Sequence, residues 1–166
     1  MKLNVVSLRH ATGKQFSFAF EVPAAEEFFW LRGPVSVSGK VANSGGHMVV
    51  SGTIRALASF ECQRCLRDYE TELVEEFRQE YLETSQESPL PADAEYGVYE
   101  GDELDVTELV RDTLLLAEPM KKVCQLDCKG LCPVCGQDRN QSDCHCDHEA
   151  IDPRLAALKQ LLDSKQ

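Results

Sequence analysis

The cysteines constrain this chain more than any other feature. Residues 124–146 contain six of its eight cysteines, and Cys62 and Cys65 form one further C-x-x-C pair. Residues 1–10 contain no apolar run long enough for a signal peptide, and no later segment approaches a membrane span. We therefore expect a cytoplasmic protein, in a reducing compartment where paired C-x-x-C motifs are far more often metal sites than disulfides.

A gap of two residues lets both thiolates of a C-x-x-C motif converge on one tetrahedral ion. Cys132-Pro-Val-Cys135-Gly136 is the clearest case, because proline presets the turn and glycine takes the positive φ that points backbone N–H groups at the sulfurs. Zinc is the expected metal. Iron or an iron–sulfur cluster, and redox-active thiols without a metal, are the alternatives.

Eight cysteines predict two sites of four thiolates each, and therefore two zinc ions. The spacing favours a ribbon-like site from the last four cysteines and a second site from the other four. The two sets are Cys132, Cys135, Cys144 and Cys146, and Cys62, Cys65, Cys124 and Cys128. A contiguous site from Cys124 to Cys135 also fits the tetrahedral requirement. His145 and His148 are alternative ligands, but surface or capping positions are favoured because cysteines alone fill both coordination shells.

Charge restricts the partners. The chain has 166 residues and a formal charge of -11, and two bound zinc ions with eight ionised thiols would bring the charge to about -15. Such a surface repels phosphate, so a broad basic face for nucleic acid is excluded. Contact with RNA must be local or made through a partner protein.

Alternating apolar residues predict a sheet in the first half of the chain. The turn cluster at residues 43–46 joins two such segments into a hairpin, whose second strand leads into Cys62. Residues 69–82 fit a helix less well than a strand. Leu3 to Leu8 and residues 96–99 are expected to form shorter strands. The alternating residues are Phe16, Phe18, Phe20 and Val22, then Val35, Val37 and Val41, then Met48, Val50, Ile54, Ala56, Ala58 and Phe60, and then Tyr69, Thr71, Leu73, Phe77 and Tyr81.

Helical signals are fewer. Asp105 is a predicted N-cap with Glu108 three residues later, and apolar residues follow at helical spacing until Pro119, so this helix should pack on the sheet. Asp152 and Pro153 predict the start of a short terminal helix with a leucine face, and docking on the protein's own zinc module is favoured over capture of a partner.

Two segments are irregular. Residues 23–33 are expected to form a short helical turn. Its aromatic residues Phe28, Phe29 and Trp30 are interpreted as core in preference to an anchor for a partner. Glu83 to Asp93 is polar and broken by prolines, which predicts a mobile loop.

The expected fold class is therefore α+β. It comprises an antiparallel β-meander sheet with one packed helix, a C-terminal cysteine-rich zinc-binding module and a short terminal helix. Residues 1–119 form the predicted sheet domain, including the first C-x-x-C knuckle, and residues 120–166 form the zinc module, the two making one integrated unit.

The motifs, taken together, resemble the YceD-like family of large ribosomal RNA subunit accumulation proteins. The resemblance rests on four stretches in order: Cys62-Gln-Arg-Cys65-Leu66, Glu118-Pro119, Cys128-Lys-Gly-Leu-Cys132-Pro-Val-Cys135-Gly136, and Asp152-Pro-Arg154 with its leucine tail. It spans roughly residues 15 to 164. It implies a bacterial or plastid cytosolic factor needed for normal accumulation of large-subunit ribosomal RNA.

No catalytic site is visible in the sequence. Phosphate-binding glycine loops are absent, and zinc held by four cysteines leaves no open position for a substrate water. The first hypothesis is a non-catalytic factor for ribosome biogenesis, without a membrane or a small-molecule substrate. Its partner would be large-subunit ribosomal RNA, a ribosomal protein or a pre-ribosomal particle.

Five cations near the knuckles are candidate contacts for RNA or a partner protein. They are Arg64, Arg67, Lys129, Arg139 and Arg154. The alternative is that they are solvated charges that neutralise nearby thiolates and carboxylates.

Two other functions are alternatives to a ribosome-biogenesis factor. One is an acidic interaction module that chaperones a basic ribosomal protein, and the other is a thiol redox protein that uses Cys132 and Cys135.

Overall fold

The computed structural model describes residues 1–84 and 96–146. The chain divides into two compact units. The first combines Met1–Phe60 with Asp68–Lys122, and the second combines Glu61–Arg67 with the chain from Val123 onward. The predicted terminal helix, most of the predicted loop at residues 83–93, His148 and Arg154 lie outside the described residues.

The described residues of the first unit form two sheets and two helices. In chain order the elements are β1 (Lys2–Asn4), α1 (Val6–Arg9), β2 (Gln15–Pro23), β3 (Leu31–Asn43), β4 (Met48–Glu61), β5 (Asp68–Glu83), β6 (Gly97–Tyr99), β7 (Glu103–Asp105) and α2 (Thr107–Ala117). β1 pairs antiparallel with β7, and the larger sheet has the order β2-β3-β4-β5-β6. The described part of the chain is therefore mostly sheet with few helices.

Pairing within the larger sheet is antiparallel between β2 and β3 and between β3 and β4. β6 instead runs parallel to β5, with Leu82 opposite Val98. A parallel neighbour needs a crossover connection, whereas consecutive antiparallel strands are joined by a hairpin. Alternation within a strand carries no information on its direction, so the sequence could not distinguish the two cases.

Burial along the long strands follows the predicted alternation. Val35, Val37 and Val41 of β3 are buried, and so are all the predicted apolar residues at even positions of β4. β5 is one continuous strand, which confirms the strand interpretation of residues 69–82. These strands supply most of a hydrophobic core that Leu104 and residues of α2 complete.

The N-terminal strand is shorter than predicted. Only Lys2–Asn4 is a strand, and Val6–Arg9 forms a single helical turn. The side-chain oxygen of Asn4 accepts a hydrogen bond from the backbone N–H of Val6 at 3.2 Å, which turns the chain out of the strand. The expectation of a strand through Leu8 was therefore wrong.

Residues 23–33 form no helix. Phe28 and Leu31 close two reverse turns by donating backbone N–H groups to Ala25 and Phe28. Phe28 and Trp30 are 4% exposed, so the core interpretation holds for both, and Trp30 stacks on Phe60 at 5.5 Å between ring centroids. The core interpretation was wrong for Phe29, which is 80% exposed.

The predicted helix is present as α2. Asp105 accepts a hydrogen bond from the backbone N–H of Thr107 at 2.8 Å, although the helical cap falls on Val106, one residue later than predicted. Val110 and Leu114 are buried, which packs the helix into the core. It ends at Ala117, because a residue preceding a proline disfavours helical backbone. Among the described residues, no helix is both long and apolar enough to cross a membrane.

Candidate metal centres

The second unit gathers the eight cysteines into the two sets that the spacing favoured. In each set the four sulfurs lie within 4.8 Å of one another. Four sulfurs bound at about 2.3 Å to a tetrahedral ion would be separated by about 3.8 Å. Cys62 Sγ lies 3.8 Å from Cys128 Sγ, and Cys65 Sγ lies 3.7 Å from Cys124 Sγ. The donor chemistry and the separations therefore fit a metal ion.

The first knuckle is a tight turn at the end of β4. The backbone N–H of Leu66 donates to the carbonyl of Cys62, and that of Cys62 donates to the carbonyl of Arg67, both at 2.9 Å. Leu66 has φ 57, the left-handed conformation that non-glycine residues rarely adopt. The turn presents Cys62 and Cys65, both buried, on the same side.

The second knuckle has the same geometry. The backbone N–H groups of Val134 and Cys135 both donate to Cys132 Sγ at 3.4 Å, and that of Gly136 donates to the carbonyl of Cys132 at 2.9 Å. Gly136 has φ 75, as the sequence predicted. Because glycine stands where the first knuckle has Leu66, the second turn adopts this conformation without strain.

A short backbone contact connects the two knuckles within the second unit. Leu131 donates its N–H to the carbonyl of Arg64 at 2.9 Å. Gly130 is required beside it, since its φ is 71 and an added Cβ would lie 2.8 Å from the carbonyl oxygen of Arg64. Leu131 also bridges to Asp138 across a small hairpin that leads to the remaining cysteines. The segment between the sites is thus positioned by its backbone.

Of the side chains that the structure describes, two donate hydrogen bonds to sulfurs of the first set. Asn140 Nδ2 lies 3.4 Å from Cys128 Sγ, and the Arg67 guanidinium lies 3.7 Å from Cys124 Sγ. Asn140 is oriented by Asp138, whose carboxylate accepts from both its backbone and its side chain. Such donors stabilise thiolates and orient metal ligands. Sequence reasoning missed Asn140, because nothing in the spacing of the cysteines points to it.

One thiol in each set ionises easily. Backbone N–H groups led by that of Cys135 lower the pKa of Cys132 to about 6, against the effect of burial. For Cys62, burial opposes ionisation, but backbone N–H groups led by that of Cys124 outweigh it and lower the pKa to about 6. These two sulfurs are therefore ready to bind a cation at neutral pH.

Other thiols of the same sets resist ionisation. The backbone N–H of Arg67 favours the thiolate of Cys65, but burial and the neighbouring thiols raise its pKa to about 11. The hydrogen bond with Cys135, together with burial, raises the pKa of Cys146 to about 12. Successive thiolates repel one another, so a bound cation is what would allow all four to ionise.

The candidate contact residues have internal partners. The Arg64 guanidinium donates to the carbonyls of Cys128 at 2.9 Å and Leu126 at 3.3 Å, and Arg67 donates to a sulfur as described. Lys129 Nζ lies 3.9 Å from Asp143, with both side chains exposed. These contacts give Arg64 and Arg67 structural roles.

Arg139 and His145 differ in their surroundings. Arg139 is half-buried, and its backbone N–H donates to the carbonyl of Gly130 at 3.0 Å. His145 is exposed and belongs to neither set of sulfurs, in agreement with the surface position that was favoured.

Comparison with curated proteins gives relatives in bacteria and plants. An uncharacterised protein of Mycobacterium tuberculosis is 34% identical over 119 residues, which cover 69% of this chain and 56% of the relative. An uncharacterised protein of Mycobacterium leprae is 28% identical over 131 residues, 78% of this chain and 59% of the relative. The chain thus spans little more than half the length of the mycobacterial relatives that it matches.

A plant relative has a descriptive name. The Arabidopsis thaliana protein called large ribosomal RNA subunit accumulation protein YCED homolog 1, chloroplastic, is 31% identical over 64 residues, 39% of this chain and 20% of the relative. No solved structure matches the chain at comparable significance.

Residues 50–162 match the sequence model of one family, described as large ribosomal RNA subunit accumulation protein YceD. The match contains α2 and all eight cysteines. The chain belongs to the YceD family of large ribosomal RNA subunit accumulation proteins.

Proposed function

We propose that the protein is a non-catalytic, zinc-stabilised factor that acts in the cytoplasm in biogenesis of the large ribosomal subunit and supports accumulation of its RNA. The observation that carries the proposal is the pair of four-sulfur sets, with separations that fit tetrahedral ions, in a chain whose family is named for that RNA. The partner would be large-subunit ribosomal RNA, a ribosomal protein or a pre-ribosomal particle.

Zinc is the metal that best suits both sets. Four thiolates in tetrahedral array are typical of structural zinc sites, and they leave no open position for a substrate or a water nucleophile. Cys62, Cys65, Cys124 and Cys128 would hold one ion, and Cys132, Cys135, Cys144 and Cys146 the other. In this proposal residues 120–166 form the zinc module, the sheet domain is residues 1–119, and the first knuckle supplies two ligands to the module.

A depletion experiment tests the proposal. Lysate is fractionated on a sucrose gradient with and without nuclease, and large-subunit ribosomal RNA is quantified after depletion of the protein. We expect the protein to migrate with large-subunit precursors and the RNA to fall relative to small-subunit RNA. Ribosomal RNA that stays intact, with the protein at the top of the gradient, would contradict the proposal.

A second candidate is an acidic interaction module that shields a basic ribosomal protein before it reaches RNA. It is favoured by the formal charge of -11 and by the internal hydrogen bonds of Arg64 and Arg67, which reduce the cationic groups offered to phosphate. Pull-down from nuclease-treated lysate tests it. Retention of a basic ribosomal protein without RNA is expected, and its loss on RNA removal would exclude this candidate.

A further inference from the structure

A groove of about 700 Å³ lies in the first unit, with α2 on one side and β5 and β6 on the other. Apolar side chains along it are open to solvent: Leu116 is 86% exposed, Val98 51% and Tyr96 44%. Exposed apolar groups around a groove mark interaction sites more readily than single exposed residues do. The groove is therefore a candidate docking surface.

The charges of the groove have one sign. Among the described residues that line it, the charged ones are Asp105, Glu108 and Asp112. Asp105 already accepts a hydrogen bond from the N-terminal amine at 3.1 Å. Glu108 and Asp112 form no ion pair among the described residues, and Arg111 between them pairs with Glu27. Like charges four residues apart destabilise a helix slightly, and an external cation would relieve their repulsion.

Tyr81 is a second and independent sign of a ligand. It lines the groove while 5% exposed, and its ring lies so close to Gly97 that an added Cβ would be 2.4 Å from it. Its hydroxyl has no hydrogen-bond partner among the described residues. Burial, followed by the charges of Asp105 and Glu108, raises its pKa to about 12, so the hydroxyl keeps its proton. Because Tyr81 lines the groove and its hydroxyl bonds to no described residue, the hydroxyl can accept a hydrogen bond from a ligand.

We propose that this groove binds a lysine- or arginine-rich segment of a protein partner. A cationic side chain lies between Glu108 and Asp112 and donates to the Tyr81 hydroxyl, while apolar side chains of the segment cover Leu116 and Val98. RNA is disfavoured as the occupant, because three carboxylates repel phosphate. The proposal rests on the second candidate function and deepens it by placing the basic partner at a defined surface.

Fluorescence anisotropy with the purified, metal-loaded chain is the first test. The probes are a labelled peptide of alternating lysine and leucine and a control peptide of alternating glutamate and leucine. We expect saturable binding of the basic peptide, weakened by salt, and none of the acidic peptide. Absence of saturable binding by the basic peptide would overturn the proposal.

Charge-matched variants then separate the groove from the acidity of the whole surface. Glu108→Lys with Asp112→Lys reverses the groove, and Glu21→Lys with Glu26→Lys makes the same charge change at exposed positions on and after β2. The groove variant should bind the basic peptide at least about tenfold more weakly, and the control within about twofold of the original chain. Equal losses would show bulk attraction and refute the groove.

Tyr81→Phe tests the hydroxyl alone. Binding of the basic peptide should weaken about three- to tenfold, the usual effect of one lost hydrogen bond. The melting temperature should change little, because no described residue bonds to this hydroxyl. Unchanged affinity would remove Tyr81 from the binding surface and contradict the proposal as stated.

Complementation of depleted cells distinguishes failure of the groove from failure of the proposed function. If the original chain restores ribosomal RNA and the groove variant does not, the groove inference and the proposed function are both supported. If both restore it equally, the groove inference fails and the function survives. If depletion leaves the RNA unchanged while the groove binds the basic peptide in vitro, the groove stands and the ribosomal role fails.

Discussion

At the scale of single residues, Asn140 links the two cysteine sets through contacts that the spacing of the cysteines does not predict. It donates to Cys128 Sγ of the first set, while its side-chain oxygen accepts from the backbone N–H of Lys129 at 2.8 Å. Its own place in the chain is inside the loop of the second set, between Cys135 and Cys144. The Asn140 side chain therefore supports the first set, although the residue lies within the loop of the second set.

Replacing this amide should weaken the first site. Asn140→Ala removes a hydrogen bond to a thiolate, and outer-shell changes of this kind lower metal affinity about 10- to 100-fold. Competition with a zinc chelator would measure the loss, with Gln63→Ala, an exposed residue of the first knuckle, as the control. Equal affinities in the two variants would mean that Asn140 does not support the site.

Leu66 and Gly136 occupy equivalent positions of positive φ in the two knuckles, which allows a matched pair of substitutions. Leu66→Gly should leave stability unchanged or raise it by up to about 1 kcal/mol, because glycine adopts positive φ without a steric penalty. Gly136→Leu introduces the same penalty at the other knuckle and should lower stability by about 1–2 kcal/mol. Thermal unfolding of the metal-loaded variants measures both. Equal destabilisation by the two would disprove this account of the turns.

The conformation or role of a residue could be predicted where it depends on neighbouring residues in the sequence. It could not be predicted where it depends on contacts made in the folded chain. The positive φ of Gly136 follows from the knuckle motif alone. The internal roles of Arg64 and Arg67 depend on carbonyls and a sulfur about sixty residues away, which the turn of the first knuckle brings close. Their charge suggested RNA, while their geometry gives them partners within the protein.

At the scale of elements, a pair of glycines shapes the centre of the sheet. Gly39 of β3 lies opposite Gly52 of β4. A Cβ added at Gly39 would lie 2.9 Å from the ring of Phe18, and one added at Gly52 would lie 2.6 Å from the ring of Phe77. The two rings thus fill space on the core face that the glycines leave.

Gly52→Ala should therefore destabilise the first unit by about 1–3 kcal/mol through overpacking. Adding Phe77→Leu should recover only part of the loss, because the new Cβ would also lie 2.2 Å from the carbonyl oxygen of Ser38. Urea unfolding of the single and double variants provides the test. A Gly52→Ala variant as stable as the original chain would show that the contact is relieved at no cost.

Long elements were predictable and short ones were not. The alternation of β3, β4 and β5 extends over many residues, so burial on one face determines their register. β1 and α1 are each only a few residues long, and the side chain of Asn4 decides where one ends and the other begins. The parallel direction of β6 depends on the path of the connecting chain, which alternation does not report.

At the scale of the whole molecule, the two cysteine sets and the hydrophobic core belong to different units. The core of the first unit consists of apolar residues and contains no cysteine. All eight cysteines lie in the second unit, where few other described side chains are buried. The stability of the two units should therefore depend on different interactions.

Metal removal should unfold one unit selectively. Small domains held by structural zinc lose their fold without the ion, whereas a hydrophobic core does not need it. Hydrogen exchange after treatment with a chelator should show loss of protection in residues 61–67 and 123–146 and retained protection in β3 and β4. The same chelator saturated with zinc is the control. Equal loss in both units would contradict this separation.

The composition of each cysteine set was predictable from spacing, and the division of the chain was not. The spacing of the cysteines indicates which sulfurs can converge, because every tetrahedral site needs four sulfurs around one ion. That Glu61–Arg67 leaves the sheet unit and joins the later segment depends on contacts such as that of Leu131 with Arg64. Such contacts exist only after folding.

X-ray absorption at the zinc edge, with metal content determined on the same purified chain, would establish whether each cysteine set holds a zinc ion. We expect two zinc ions per chain, each with four sulfur ligands at about 2.3 Å and no nitrogen or oxygen ligand. Iron in place of zinc, a nitrogen or oxygen ligand, or a metal-free chain with Cys132 and Cys135 in a disulfide would contradict this expectation.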